Sequence, residues 1–328
     1  MTISTSSSAP LVVIVGTTGN QGGSVLKHLA ESDKSYRIRA LTRDASKPKA
    51  VEIAAKGVDI FEVDIKPDNY ETIVKAFTGA SVVFSVTNFW EHLDAQRETV
   101  EGKAMVDAAL EAKVQLFIYS GLPSPSKISD GKYTKIFHFE SKATVDDYGR
   151  SKASSSFEYK TIQPAFFTSG FIPGNALSFF QKTEDGSYVV AFPVTDELVN
   201  RKTIPIIDIN ADYGLWVRGT IENEELRRDA RPIIACGSDM KLQALCELLS
   251  KKTDKDVHFQ SLTPEVFLAN FPPGTPSFLT DDLIESWEYT FAVGYWGDED
   301  LYWSHKYLAR KPLTVESWAE QADLSPFN

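Results

Sequence analysis

Apolar residues recur along the first half of the chain in two alternating rhythms. Residues 11–15 form an unbroken apolar run. After a glycine-rich turn, apolar positions return three or four apart at Val25, Leu26 and Leu29. An unbroken run suits a strand covered on both faces, and the wider spacing suits a helix with one buried stripe. The same alternation predicts strands over 36–41, 58–65, 81–87, 115–120 and 159–163. Helices are predicted over 48–56, 69–77, 93–112 and 137–148, with a polar loop over 122–135. Repeated strand–helix units imply a parallel sheet with helices on both faces.

Beyond Pro164 the rhythm loosens. Short strands fit 188–192, 203–207 and 232–235, and helices fit 211–221, 242–251 and 264–270. Four of the six tryptophans follow residue 280, among Tyr289, Phe291, Tyr295, Tyr302 and Tyr307. Such a cluster packs as core between helices and the lobe beneath, or offers a wall to a flat apolar ligand; both readings stay open. The expected fold is α/β, with a Rossmann-type doubly wound parallel sheet over 11–165. A smaller α+β lobe over 166–328 shares a cleft with it, and the chain is free to return to the main sheet. Residues 1–10 read as a disordered leader.

Composition narrows the class. With 328 residues and 42% apolar content the chain has length for a large core. A net charge of −11 disfavours direct binding to nucleic acid. No apolar run reaches the roughly 20 residues that span a bilayer, and the start, MTISTSSSAP, has neither the basic cluster nor the apolar core of a secretory signal. The two cysteines, Cys236 and Cys246, lack metal or disulfide-framework spacing and read as buried free thiols. A cytoplasmic protein is expected, with nuclear entry left open.

The turn after the first strand carries chemistry. Gly16, Gly19 and Gly22 stand three apart between strand and helix. Without Cβ atoms the backbone can turn sharply at Gly16 and Gly19 and approach a pyrophosphate, while Gly22 lets the helix pack closely on the sheet. The free N–H groups of that helix then face the anionic oxygens. The expected role is dinucleotide binding; the other reading is a merely structural glycine turn. An NAD unit ends its second strand in a carboxylate for the ribose hydroxyls. Here Thr42 is followed by Arg43, whose guanidinium suits a 2′-phosphate, so NADPH is expected over NADH. The other reading of Arg43 is a surface arginine paired with Asp44. Asp64 and Ile65 would flank the adenine; Thr87, Asn88 and Phe89 would line the nicotinamide side, with Ser120 at the end of its strand.

A short-chain dehydrogenase pairs Tyr and Lys four apart on one helix face, where the ammonium lowers the tyrosine's pKa. Tyr148 and Lys152 have that spacing, but six residues separate Lys152 from the next strand, and Gly149 marks a helix end. Lys142 leaves sixteen residues before that strand, which fits a helix and a turn. Four positions before Lys142 stands His138, not tyrosine; Tyr133 is followed four later by Phe137. Lys142 is expected to bind the nicotinamide ribose. His138 is either a helix-start histidine bonded to backbone or a polar group and weak proton donor near the nicotinamide. Lys142 and His138 are the candidate catalytic residues.

The segments GTTGNQGGSV, LTRDASKP, SVTNFWEH, YSGL, HFESKATVDDY and PLTVESWAEQ together resemble NmrA-like proteins, atypical relatives of the short-chain dehydrogenases. The resemblance implies an NADP-binding domain with a smaller C-terminal lobe. It puts the family's dinucleotide loop on Gly16, Thr17, Thr18, Gly19, Asn20 and Gln21, its phosphate-selecting arginine on Arg43, its nicotinamide-side segment on Thr87, Asn88 and Phe89, and its lysine on Lys142. Phe166, Phe167, Thr168 and Ser169 match the stretch that touches the nicotinamide end, with Ser169 where the family often carries Asn. Some members are redox-responsive regulators with little or no dehydrogenase activity; others reduce quinones, dyes or phenylpropanoids with NADPH, in some cases with the lysine but no tyrosine. The implied function is a redox sensor acting through a regulatory protein partner. The alternative is an NADPH-dependent reductase of an aromatic, quinone or conjugated carbonyl substrate. A homodimer is among the open partners.

Overall fold

A computed structural model describes residues 3–174 and 178–327. Its centre is a seven-stranded sheet made of β1 (Leu11–Ile14), β2 (Arg37–Thr42), β3 (Asp59–Glu62), β4 (Val82–Val86), β5 (Leu116–Ser120), β6 (Glu158–Pro164) and, much later in the chain, Ile233–Ala235. The spatial order is that late strand, then β6-β5-β4-β1-β2-β3, and every pairing is parallel. The chain runs from β1 outward to β3, then crosses back to β4 on the other side of β1. That reversal opens a crevice beyond the carboxyl ends of β1 and β4, where ligands of doubly wound sheets sit.

Strand alternation divides the apolar run between two cores. Val12 and Ile14 face one side with Phe84 and Ile118, under the helices Asn20–Ala30 and Ile209–Glu222. Leu11, Val13 and Val15 face the other with Val83 and Phe117, under Tyr70–Phe77, Ala95–Glu111 and Phe137–Lys152. Sheets buried on both faces need no polar alternation, which is why these strands read as continuous apolar runs.

Two small sheets build the rest. β7 (Phe166–Phe167) pairs with β10 (Ile204–Ile207) and through it with β12 (Ser238–Met240). β8 (Phe180–Lys182), β9 (Tyr188–Phe192) and β13 (Val257–Ser261) form the other, and the late strand of the main sheet is β11. Trp287, on the helix Ser277–Ala292, stacks between Phe166 at 5.4 Å and Phe192 at 3.5 Å. Part of the aromatic cluster is therefore core.

Several boundaries differ from the sequence expectation. The helix expected over 137–148 continues to Lys152. Gly149 does not end it: a Cβ there would lie 2.0 Å from the Tyr159 ring, so the glycine is a point of close packing. The helix expected over 93–112 starts at Ala95, because Leu93 takes a left-handed conformation (φ 54°) and Asp94 caps the new start by accepting from Arg97 N–H. The short helix Phe89–His92 precedes that break. The 122–135 loop contains the helix Pro125–Ile128. β7, β8, β12, β13 and the helices Ser277–Ala292 and Val315–Gln321 had no clear sequence signal. Of the leader, Met1 and Thr2 lie outside the described residues; Ile3 pairs with Tyr36, and Ala9 C=O accepts from Arg37 Nε. Cys236 and Cys246 are free and buried, and burial pushes both thiols up. Among the described residues no helix is long and apolar enough to cross a membrane.

Candidate functional site

The crevice is a cleft of about 900 Å³. Its floor is the turn between β1 and the helix Asn20–Ala30. Gly16 sits at φ +70°, a conformation that side chains resist, and it presents its carbonyl to Gly22. A Cβ on Gly22 would come within 2.3 Å of that oxygen. Gly19 provides the helix N-cap without any side-chain acceptor, so the first-turn N–H groups face the cleft without a cap. Gly22→Ala is expected to cost about 1–3 kcal/mol of stability through overpacking, read as a lower urea midpoint. An unchanged midpoint would show that the turn can shift to make room.

Gly16, Thr18, Gly19, Asn20 and Gln21 all line the cleft. Thr17 does not: it is fully buried, and its hydroxyl donates to Ile14 C=O at 2.7 Å. Gln21 Oε1 accepts from Ser120, which ties the helix start to the end of β5.

One end of the cleft is charged. Arg43, Asp64 and Ile65 meet Glu91, Arg97 and Glu101 there. Arg43 does not pair with Asp44, whose carboxylate accepts from Ser46 N–H and Oγ–H. It pairs with Glu91 on the short helix Phe89–His92, and its side chain stays 60% exposed. Asp64 pairs with Lys66.

Lys142 and His138 also line the cleft. The Lys142 ammonium donates to Thr87 C=O at 3.2 Å, to Thr87 Oγ1 at 3.0 Å and to Glu98. Glu98 is fully buried and also accepts from Ser141 Oγ–H. Burial lowers the Lys142 pKa, and the Glu98 charge opposes that shift. Thr87 Oγ1 also bonds with the Tyr119 hydroxyl at 2.9 Å.

One sequence reading had His138 bonded to backbone, but its ring meets a side chain instead. Its Nδ1 lies 2.6 Å from Asp282 Oδ1, and its backbone N–H donates to Asp282 Oδ2 at 3.1 Å. The imidazole still lines the cleft, beside Phe89 and Trp90.

The other tyrosine–lysine spacing is elsewhere. Tyr148 donates to Asp107 at 2.6 Å, and that bond, with burial, pushes its pKa up to about 12, opposite to an activated tyrosine. Tyr133 is buried and donates to Glu288 at 2.9 Å. Neither lines the cleft.

The far end is apolar and aromatic. Phe89, Trp90, Phe166, Phe179, Trp287 and Tyr295 wall it, with Phe167 and Ser169 nearby. Thr168 is buried away from it.

Four carboxylates of this site have no place in the sequence reading: Glu91, Glu98, Glu101 and Asp282. Glu98 carried a signal. It lies four before Gly102, seven before Met105 and eight before Val106, all buried, so helical spacing puts its carboxylate on the apolar stripe. Asp282 lies 144 residues from His138, and no local pattern links them.

The NmrA-like family model matches residues 8–319. An oxidoreductase of Penicillium ochrochloron with an NmrA-like family domain is 26% identical, over 77% of this chain and 76% of the relative. Among solved structures, the negative transcriptional regulator NmrA in complex with NAD superposes with a TM-score of 0.76 at 18% identity, covering 95% of each chain. The NADPH-dependent quinone oxidoreductase QOR2 of Escherichia coli, complexed with NADPH, gives 0.71 at 19% identity, covering 94% of this chain and 99% of that one. At such identities the two superpositions speak for the fold alone.

Proposed function

The chain belongs to the NmrA-like family, and from that premise we propose that it is an NADP(H)-dependent reductase of flat, apolar, conjugated acceptors. One observation carries the reading: a single cleft is lined by the glycine turn, by Lys142 and His138, and by the aromatic residues Phe166, Phe179, Trp287 and Tyr295. A neighbour of like fold holds NADPH and is a quinone oxidoreductase, and a relative is named an oxidoreductase, which supports the direction.

The residues fit a dinucleotide. Only a residue without Cβ leaves room at Gly22, and the uncapped helix start suits a pyrophosphate. Residues 11–165 would hold it, and 166–328 would supply most of the acceptor's wall. Arg43 would take the 2′-phosphate, Asp64 and Ile65 the adenine side, and Thr87, Asn88, Phe89, Ser120 and Lys142 the nicotinamide side. The dinucleotide supplies the hydride when bound. The aromatic wall orients a flat acceptor and excludes water.

Glu91 would oppose the phosphate, because it already holds the Arg43 guanidinium. Glu91→Gln is expected to tighten NADPH about threefold to fivefold, the range of an exposed ion pair, with NADH unchanged. Equal titration curves for the variant and the parent would remove Glu91 from phosphate selection.

A second reading, a redox sensor acting through partners, is favoured by the engagement of Lys142 with Glu98 and by the lack of a tyrosine four positions before it. Fluorescence titration with NADPH followed by an NADPH-consumption screen separates the two. Binding with turnover of quinones or conjugated carbonyls supports the reductase. Tight binding with no turnover across a broad panel rejects it in favour of the sensor.

A further inference from the structure

We infer that His138 and Asp282 form the proton-delivering pair of this cleft, with His138 Nε2 giving the proton to the oxygen of a carbonyl acceptor. The inference rests on the reductase reading above.

Lys142 lines the cleft but has no proton to spare. An ammonium has three N–H donors, and three acceptors engage Lys142: Glu98, Thr87 C=O and Thr87 Oγ1. His138, one helical turn earlier on the same face, is in the opposite position. Asp282 engages one ring nitrogen, and His138 lines the cleft.

Asp282 is placed to orient that ring. Its side chain is fully buried, and both of its oxygens meet His138, one at the ring and one at the backbone N–H. Ser286 holds the same turn by donating to Asp282 C=O at 2.6 Å. Turning the ring away would take the shortest donor from a buried carboxylate, leaving it the His138 backbone N–H at 3.1 Å and the Ser286 hydroxyl at 3.4 Å, which is costly. An ionised carboxylate only accepts, so the Nδ1 proton stays on the histidine and Nε2 is the atom left for exchange. Trp90 at 4.9 Å and Phe89 at 5.9 Å restrict the ring from the cleft side.

The step balances. The acceptor's C=O π bond breaks; its carbon gains the hydride and electron pair from the dihydronicotinamide, which is left oxidised. The acceptor oxygen takes the Nε2 proton of the imidazolium. His138 remains neutral with its proton on Nδ1 against Asp282, and Nε2 is reprotonated from water. Asp282 orients the ring and is a positioning residue.

Two measurements test the pair on the full chain. The first needs no cofactor: nitrogen-15 histidine spectra at fixed pH should show His138 with its proton on Nδ1 in a short bond, and Asp282→Asn should abolish that signature. The second compares two acceptors: a conjugated carbonyl, which needs a hydride and a proton, and a triarylmethane cation, which needs the hydride alone. In Asp282→Asn and in His138→Gln the carbonyl-to-cation rate ratio should fall about a hundredfold, the scale of a general acid. A ratio within threefold of the parent, or a signature surviving Asp282→Asn, overturns the pair. A parent protein that reduces the cation but not the carbonyl also overturns it and leaves the reductase reading standing. A parent that reduces neither overturns both.

Discussion

Replacing Lys142 with Met is expected to destabilise the protein by about 3–5 kcal/mol, because it leaves a buried charge without its partner. Glu98 is fully buried under the helix Phe137–Lys152, and its remaining donor is the Ser141 hydroxyl. Met matches much of the lysine's length but cannot donate to Glu98 or to either oxygen of Thr87. The check is urea denaturation of the single variants and of Lys142→Met with Glu98→Gln. The neutral pair should recover a substantial part of the loss, since a buried ion pair is often replaceable by uncharged groups at little cost. A loss under about 1 kcal/mol, the scale of an exposed pair, would mean that water reaches Glu98. The prediction matters for any activity assay, because lost turnover in a Lys142 variant can come from lost folding. Stability must be measured beside turnover.

Arg43→Glu is expected to weaken NADPH by about a hundredfold, roughly 2.7 kcal/mol, and NADH far less. A guanidinium–phosphate contact is a charge-assisted, bidentate bond, and the variant sets a carboxylate against the phosphate. Arg43 is 60% exposed at the cleft mouth, so its own removal should hardly change the urea midpoint. The readout is a pair of fluorescence titrations at one ionic strength, since salt screens an exposed contact. Equal losses for the two dinucleotides would show that Arg43 does not read the 2′-phosphate. Arg43→Gln should lie between the parent and Arg43→Glu, because it removes attraction without adding repulsion.

The sequence and the structure agree most where the signal is local. The apolar run of β1, the glycine turn, the helix behind it and the next four strands all stand where periodicity puts them, to within a few residues. Errors cluster where a local rule met a distant contact. Gly149 reads as a helix end because glycine favours one, but the Tyr159 ring explains it better. The 93–112 pattern reads as one helix because apolar spacing persists, while one left-handed residue, Leu93, breaks it. The lobe was least legible, since β7 and β8 have only two and three residues, and β7 pairs with β10 nearly forty residues later.

By itself the sequence determined the fold class, the turn built for a close backbone approach, and the placing of His138 and Lys142 on one helix face. These follow from steric and hydrophobic rules that act over a few residues. Tertiary structure decided what those residues meet. Glu98 reaches Lys142 across 44 positions and Asp282 reaches His138 across 144. Pairings at such separations arise from how sheets and helices pack, so only the folded chain shows that the ammonium is fully engaged and the imidazole is held by a carboxylate at the cleft.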